Sequence, residues 1–172
     1  RQARGQTPQG TAAIALAEAM GLPDDEIAHL IVGAFLHDVG KIGIPDAILL
    51  KPGRLTADEF EIMKTHTLHG LDIVAGNSWM ERAADVIRHH HEKFDGSGYP
   101  DGLAGEAIPR IARLFAVVDV FDALVSARPY KAPMPPETAL ANLERDAGKH
   151  FDPAMVRIFK TIARRLHGEL SA

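Results

Sequence analysis

Cysteine is absent from the 172 residues. Its absence excludes a disulfide framework, a thiolate zinc site, an iron–sulfur cluster and a thiol nucleophile, and it fits a reducing, cytoplasmic setting. No apolar run approaches the ~20 residues needed to span a bilayer, and no secretory apolar segment opens the chain. An excess of cationic residues is also lacking. Lys and Arg total 19 against 23 Asp and Glu, for a net charge of −4, which argues against general DNA or anionic-membrane binding but leaves room for a local basic patch. Internal repeats, low-complexity tracts and strand-like alternation are missing. Aromatic residues are few, 7 Phe, 2 Tyr and 1 Trp, and against them stand 9 His. The length suits one domain, able to bury roughly 70% of its unfolded surface. Arg1 in place of an initiator Met gives the expectation of a domain excised from a longer chain.

What is present is helical nearly throughout. An alanine-rich segment (Ala12, Ile14, Leu16, Ala19) stops at Gly21. Pro23 and the acids Asp24, Asp25 and Glu26 open a second helix, since Pro suits the first turn and acids suit its positive end. Its expected apolar stripe is Ile27, Leu30, Ile31, Ala34 and Phe35. Residues 39–55 read as a loop. Thr56 with Glu59 makes a capping box for a third helix running to about Gly76, and Ser78 with Glu81 makes one for a fourth running to about His91. A long Gly- and Pro-rich loop, 92–109, is of a length often associated with function. A strongly hydrophobic fifth helix spans about Arg110–Ser126, a sixth about Glu137–Ala147, and Asp152–Pro153 starts the last. The expected class is all-α, with about six to seven helices. Trp79 reads as a packing residue.

Polar side chains interrupt the apolar stripes at specific places. Residues at i+3 and i+4 share a helix face. Ile87 therefore leads to His90 and His91, whereas His89 falls on the polar side with Arg82 and Asp85. Ala34 leads to His37 and Asp38, Ile62 to His66, and Ala112, Phe115 and Ala116 to Asp119. Four helices each carry an imidazole or carboxylate where an apolar residue belongs, and buried polar groups need partners. Four His and two Asp converging on one core are well explained by divalent cations, and the thiolate-free donor set suits Fe, Mn, Zn, Co or Ni. Taken singly, an inward His more often donates to a backbone carbonyl. His29, His69, His89, His150 and His167 read as ordinary, with His69 the doubtful one at i+3 from His66, and Asp122, at i+3 from Asp119, competes with it for the ligand role.

In order, His37-Asp38-Val39-Gly40-Lys41-Ile42-Gly43-Ile44-Pro45-Asp46, Leu49-Leu50-Lys51-Pro52-Gly53, Lys64-Thr65-His66, His90-His91-Glu92-Lys93-Phe94-Asp95-Gly96-Ser97-Gly98-Tyr99-Pro100, Asp119-Val120-Phe121-Asp122-Ala123-Leu124, Arg128-Pro129-Tyr130-Lys131 and His150-Phe151-Asp152-Pro153 resemble the HD-GYP family, a branch of the HD metal-dependent phosphohydrolases. The resemblance covers about residues 30–160. It implies an HD-type helical bundle with a metal centre in its core that hydrolyses cyclic di-GMP to pGpG and, in many members, on to GMP. By motif position His37, Asp38, His66, His90, His91 and Asp119 match the metal ligands of two ions, with Fe or Mn foremost. Asp38 matches the carboxylate that bridges them. Asp38 and Lys41 carry the catalytic roles. Lys41, Arg128 and Lys131 match phosphate-holding residues. Tyr99 reads either as a substrate-binding residue that stacks on a guanine or as a turn tyrosine packed against its own loop. A pair of such ions supplies hydroxide from a shared water and neutralises phosphoryl charge. The Gly98-Tyr99-Pro100 motif implies contact with GGDEF-domain proteins, and the family implies a receiver or sensor domain in the parent chain.

One stretch departs from the pattern. Many family members carry a His, and some an acid one turn earlier, in the helix before the HD pair. Here those positions are Gly5 and Arg1. Residues 1–10 read as a poorly ordered or helix-start segment, partly foreign on one reading, ahead of a single domain over 11–172. A third metal is not expected. The departure gives a second reading, a catalytically weak or inactive signalling module that binds nucleotide or a GGDEF partner. A third is an HD phosphohydrolase of different substrate.

Overall fold

The computed structural model describes residues 7–80, 83–127 and 132–170, with side chains described as far as residue 165. Its helices are α1 (Pro8–Ala19), α2 (Asp24–Leu36), α3 (Asp46–Leu49), α4 (Ala57–Lys64), α5 (His66–Val74), α6 (Ala83–His89), α7 (Arg110–Val125), α8 (Pro136–Arg145) and α9 (Pro153–Leu170). Short 3₁₀ turns occupy Val39–Gly43, Ser78–Met80 and Gly105–Ala107. Among the described residues there is no strand, only isolated bridges joining Asp95 to Ala104 and Ala147 to Phe151. The class is all-α, as expected.

Helix α7 is the axis of the core. Ile111, Ala112, Leu114, Phe115, Ala116, Val117, Val118 and Phe121 are all buried. They meet Ala13, Leu16 and Ala17 of α1, Leu30 of α2, Leu140 and Leu143 of α8, and Met155, Phe159 and Ile162 of α9. Each fully buried Val, Leu, Ile, Phe or Met side chain among them contributes roughly 1.5–3 kcal/mol. The α9 positions recur at helical spacing, so its outer face is left to charged residues such as Lys160 and Arg164, which pair with Glu144 and Glu137 of α8.

Local chemistry sets the boundaries. Thr7 accepts from the Gly10 N–H and Pro8 fills the first turn of α1, inside the segment expected as a helix start. Both halves of the Thr56–Glu59 capping box form. Asp152 accepts from the Ala154 N–H at 2.9 Å and also pairs with Arg113 at 2.6 Å, which ties the start of α9 to α7.

Several expectations are corrected. The third helix is not continuous to Gly76. It breaks at Thr65, whose hydroxyl donates back to the Ile62 carbonyl at 2.6 Å, a local bond that competes with helix continuation. The supposed loop 39–55 contains the 3₁₀ turn and α3. The fourth helix opens as a 3₁₀ turn before α6, while Glu81 of the expected capping box lies outside the described residues. Phe35 is 62% exposed, Ile62 42% and Trp79 59%, so none is a core residue. Phe35 lies at the edge of the α2 stripe, of which Leu30 and Ala34 are covered, and α4, which carries Ile62, buries none of its residues.

Candidate metal centre

Four segments bring the singled-out residues to one place. His37 closes α2 and Asp38 begins the 3₁₀ turn. His66 opens α5. His90 and His91 follow α6, the His90 N–H still bonded to the Val86 carbonyl at 3.0 Å. Asp119 lies in α7. The turn can lie on α5 because Gly40 has no side chain: a Cβ there would sit 1.8 Å from the His66 carbonyl oxygen. That contact sets the HD pair beside His66.

Asp38, His66, His90 and His91 each offer a ligand atom, and these atoms lie within 4.8 Å of one another. His37 and Asp119 adjoin them. The two carboxylate oxygens of Asp38 face different neighbours. Oδ1 is 3.6 Å from His66 Nε2 and 4.0 Å from His90 Nε2, whereas Oδ2 is 3.4 Å from His37 Nε2. His37 Nε2 in turn lies 3.9 Å from Asp119 Oδ1. Lys41 Nζ donates to Asp38 Oδ2 at 2.6 Å. His69 and Asp122 do not enter the group; Asp122 instead accepts from the Ser126 hydroxyl. His89 is not part of the group and, with Arg88, binds Asp101. Arg128 and Lys131 lie outside the described residues, as do Arg1 and Gly5.

The donor set itself asks for a cation. Nδ1 of His66 donates to the Met63 carbonyl at 2.7 Å, and Nδ1 of His90 to the Val86 and Ile87 carbonyls at 3.1 Å. Those bonds fix the tautomers and leave each Nε2 as a bare lone pair. Yet the two Nε2 atoms stand 3.4 Å apart with a carboxylate beside them. Acceptor faces acceptor, which a divalent ion resolves. Burial keeps both imidazoles neutral by lowering their proton affinity, and burial likewise pulls His91 down to about 3. For His37 burial is outweighed by the Asp38 hydrogen bond and charge, and its proton affinity rises. Burial pushes the Asp38 carboxyl up, but the His37 and Lys41 hydrogen bonds and charges hold it below the usual carboxylate range. His66, His90 and His91 thus offer neutral imidazoles beside an anionic carboxylate, the forms a divalent metal binds.

Tyr99 stacks on His91, and its Tyr99–Pro100 peptide is cis. Two residues escaped the reading of the sequence. The Glu92 carboxylate is buried and accepts from the Asp101 N–H at 2.7 Å and the Leu103 N–H at 3.0 Å, folding the 92–109 loop back on itself. A Cβ at Gly98 would lie 2.5 Å from Glu92 Cα, so that fold also needs glycine there. Gln9 of α1 donates to Asp119 Oδ1 at 2.8 Å.

The HD domain family profile matches residues 2–155. Several curated relatives between 42% and 51% identical are cyclic di-GMP phosphodiesterases. Among them, the cyclic di-GMP phosphodiesterase response regulator RpfG of Xanthomonas campestris is 51% identical over 143 residues, 82% of this chain and 38% of that protein. A 3'3'-cGAMP-specific phosphodiesterase of Vibrio cholerae is 43% identical over 145 residues, 83% of this chain and 28% of that protein. The chain thus spans well under half the length of these relatives. In structure it is similar to an HDG"Y"P protein from Bdellovibrio bacteriovorus, with TM-score 0.71 and 23% identity over 91% of this chain and 50% of the other.

Proposed function

This chain belongs to the HD domain family, in its HD-GYP branch, and on that premise we propose that it is a metal-dependent phosphodiesterase that hydrolyses cyclic di-GMP to pGpG. The observation that carries the proposal is the pair of Nε2 lone pairs of His66 and His90, 3.4 Å apart beside Asp38. His37, Asp38, His66, His90, His91 and Asp119 would hold the metal, which we read as two ions, Fe or Mn before Zn, Co or Ni. The opposed faces of Asp38 support that number, Oδ1 toward His66 and His90 and Oδ2 toward His37. When bound, such ions supply Lewis acidity and an activated water.

The chain's own groups do the rest. Lys41 holds Asp38 in its anionic form, and its partly exposed ammonium keeps further N–H donors for a phosphate oxygen. Arg128 and Lys131 take the same phosphate by motif position, Arg128 as a bidentate fork. Hydrolysis of one diester adds one water: its oxygen bonds to phosphorus, the bond to the 3′-oxygen breaks, and the departing oxygen takes a proton. Further cleavage to GMP repeats that balance. Tyr99 meets substrate beside His91. A GGDEF-domain partner rests on the Gly98-Tyr99-Pro100 loop, and a regulatory domain in the parent protein on the partial coverage of relatives such as RpfG. No helix described here is long and apolar enough to cross a membrane. The absence of cysteine and a nucleotide second messenger as substrate support a cytoplasmic enzyme.

The test is anaerobic loading with Fe²⁺ or Mn²⁺, a metal count per chain, and chromatography of cyclic di-GMP and 3'3'-cGAMP side by side. Two ions with turnover of cyclic di-GMP, abolished in Asp38→Ala, is the expected result. Turnover of 3'3'-cGAMP alone would reassign the substrate, and nucleotide binding without product would make the domain a signalling module.

A further inference from the structure

We propose that Gln9 is a positioning residue of the metal centre: its amide pins the Asp119 carboxylate from α1 and thereby sets how tightly the His37–Asp119 side grips a cation. The inference rests on the reading above that the centre binds divalent metal. Gln9 Nε2 donates to Asp119 Oδ1 at 2.8 Å across 110 residues of sequence. That oxygen is the one facing His37, 3.9 Å from its Nε2. The amide therefore fixes the carboxylate at the edge where it meets the imidazole.

The rest of α1 is built to hold the amide there. Thr7 and Pro8 fix its first turn, in which Gln9 sits half-buried. Ala13, Leu16 and Ala17 seat the helix in the core cluster that also holds Leu114, Phe115 and Val118 of α7, the helix that bears Asp119. An amide is neutral at every pH, so this brace adds no charge and its donor does not titrate. Hydrogen-bond partners of ligating side chains are commonly worth 10–100-fold in metal affinity.

The experiment compares the intact chain with Gln9→Met, Asp119→Ala and the double variant. Met keeps the length and helix propensity of Gln but has no N–H. Mn²⁺ affinity is read by chelator competition, bound Mn²⁺ is counted by electron paramagnetic resonance, and metal-free melting is followed by circular dichroism. Gln9→Met is expected to weaken the most weakly held ion about tenfold, to leave the metal-free chain cooperatively folded with a melting temperature lowered by only a few degrees, and to have no further effect on affinity once Asp119 is Ala. Wild-type affinity in Gln9→Met, or an equal loss with and without Asp119, would overturn the assignment. An unaltered chain that takes up no Mn²⁺ would overturn the functional reading itself.

Discussion

Tyr99 lies against His91 with ring centroids 4.7 Å apart and planes inclined by 24°. The edge of Phe60 and the Lys64 ammonium also approach the Tyr99 ring, at 5.9 and 5.7 Å. The tyrosine of the loop motif is thus engaged by the fold and backs a candidate ligand. A stacked pair of this kind contributes about 0.5–1.5 kcal/mol. Tyr99→Phe keeps the stack and is expected to bind Mn²⁺ as the unaltered chain does. Tyr99→Ala frees His91 and is expected to weaken binding about tenfold. Titration of both variants against a fluorescent chelator checks this.

Metal should stabilise the fold. Bringing bare lone pairs and a carboxylate together is unfavourable until a cation joins them. Mn²⁺ at a hundred times its dissociation constant contributes about 2.7 kcal/mol, which for a domain of this size raises Tm by about 5–10 °C. Scanning calorimetry with and without Mn²⁺ is expected to show that rise, its reversal by EDTA, and its absence in Asp38→Ala.

Glu92 organises the long loop from within. Glu92→Ala removes a buried acceptor from two backbone N–H groups and is expected to cost about 2–4 kcal/mol. Urea denaturation measures the cost. Hydrogen exchange at Asp101 and Leu103 should quicken in the same variant, whereas an unchanged exchange rate would show that the carboxylate does not hold the loop.

Gly40→Ala tests the seating of the HD pair. Its new methyl would meet the His66 carbonyl and the Gly70 N–H, and backbone has little room to yield. The expected outcome is a loss of about 1–3 kcal/mol together with metal affinity, since Asp38 and His66 would be driven apart. Gly53→Ala is a control in an open position, though strained by its φ of +113°; it should reduce stability without touching metal binding.

Asp101 gives a pH signature away from the metal. The Arg88 fork, with its charge and a bond from His89, holds the carboxyl at about 2. A carboxyl held low in the folded state adds stability above its ordinary titration and loses it as pH falls toward about 2. The pair is partly exposed, so the contribution stays within about 1 kcal/mol. In Arg88→Gln the midpoint of Asp101, followed by carboxyl NMR, is expected to move up toward the ordinary range.

The fold class and most of the centre were legible because polar residues broke apolar stripes. His37, Asp38, His66, His90, His91 and Asp119 meet as that pattern implied. The stripe logic was cruder than its result: Ile62, which pointed to His66, is exposed and separated from it by the break at Thr65. Gln9 was not legible, since a polar residue at a helix start is ordinary and its partner is 110 positions away. Nor was Glu92, which looks like a surface acid until the loop is seen to wrap it. Trp79 misled because large aromatics are usually covered, and here the 3₁₀ turn holds it out.

The near-contact of His66 and His90 closes a 24-residue stretch of chain, and the bond from Gln9 to Asp119 closes one of 110. An ion gripped among these side chains is therefore a clasp across α2, α5, α6 and α7 at once. Unfolding must open the clasp before any of those helices can leave, so occupancy governs the lifetime of the native state as well as its equilibrium. On the function proposed above, divalent-metal supply would then bear on how long each copy stays folded, quite apart from how fast it works.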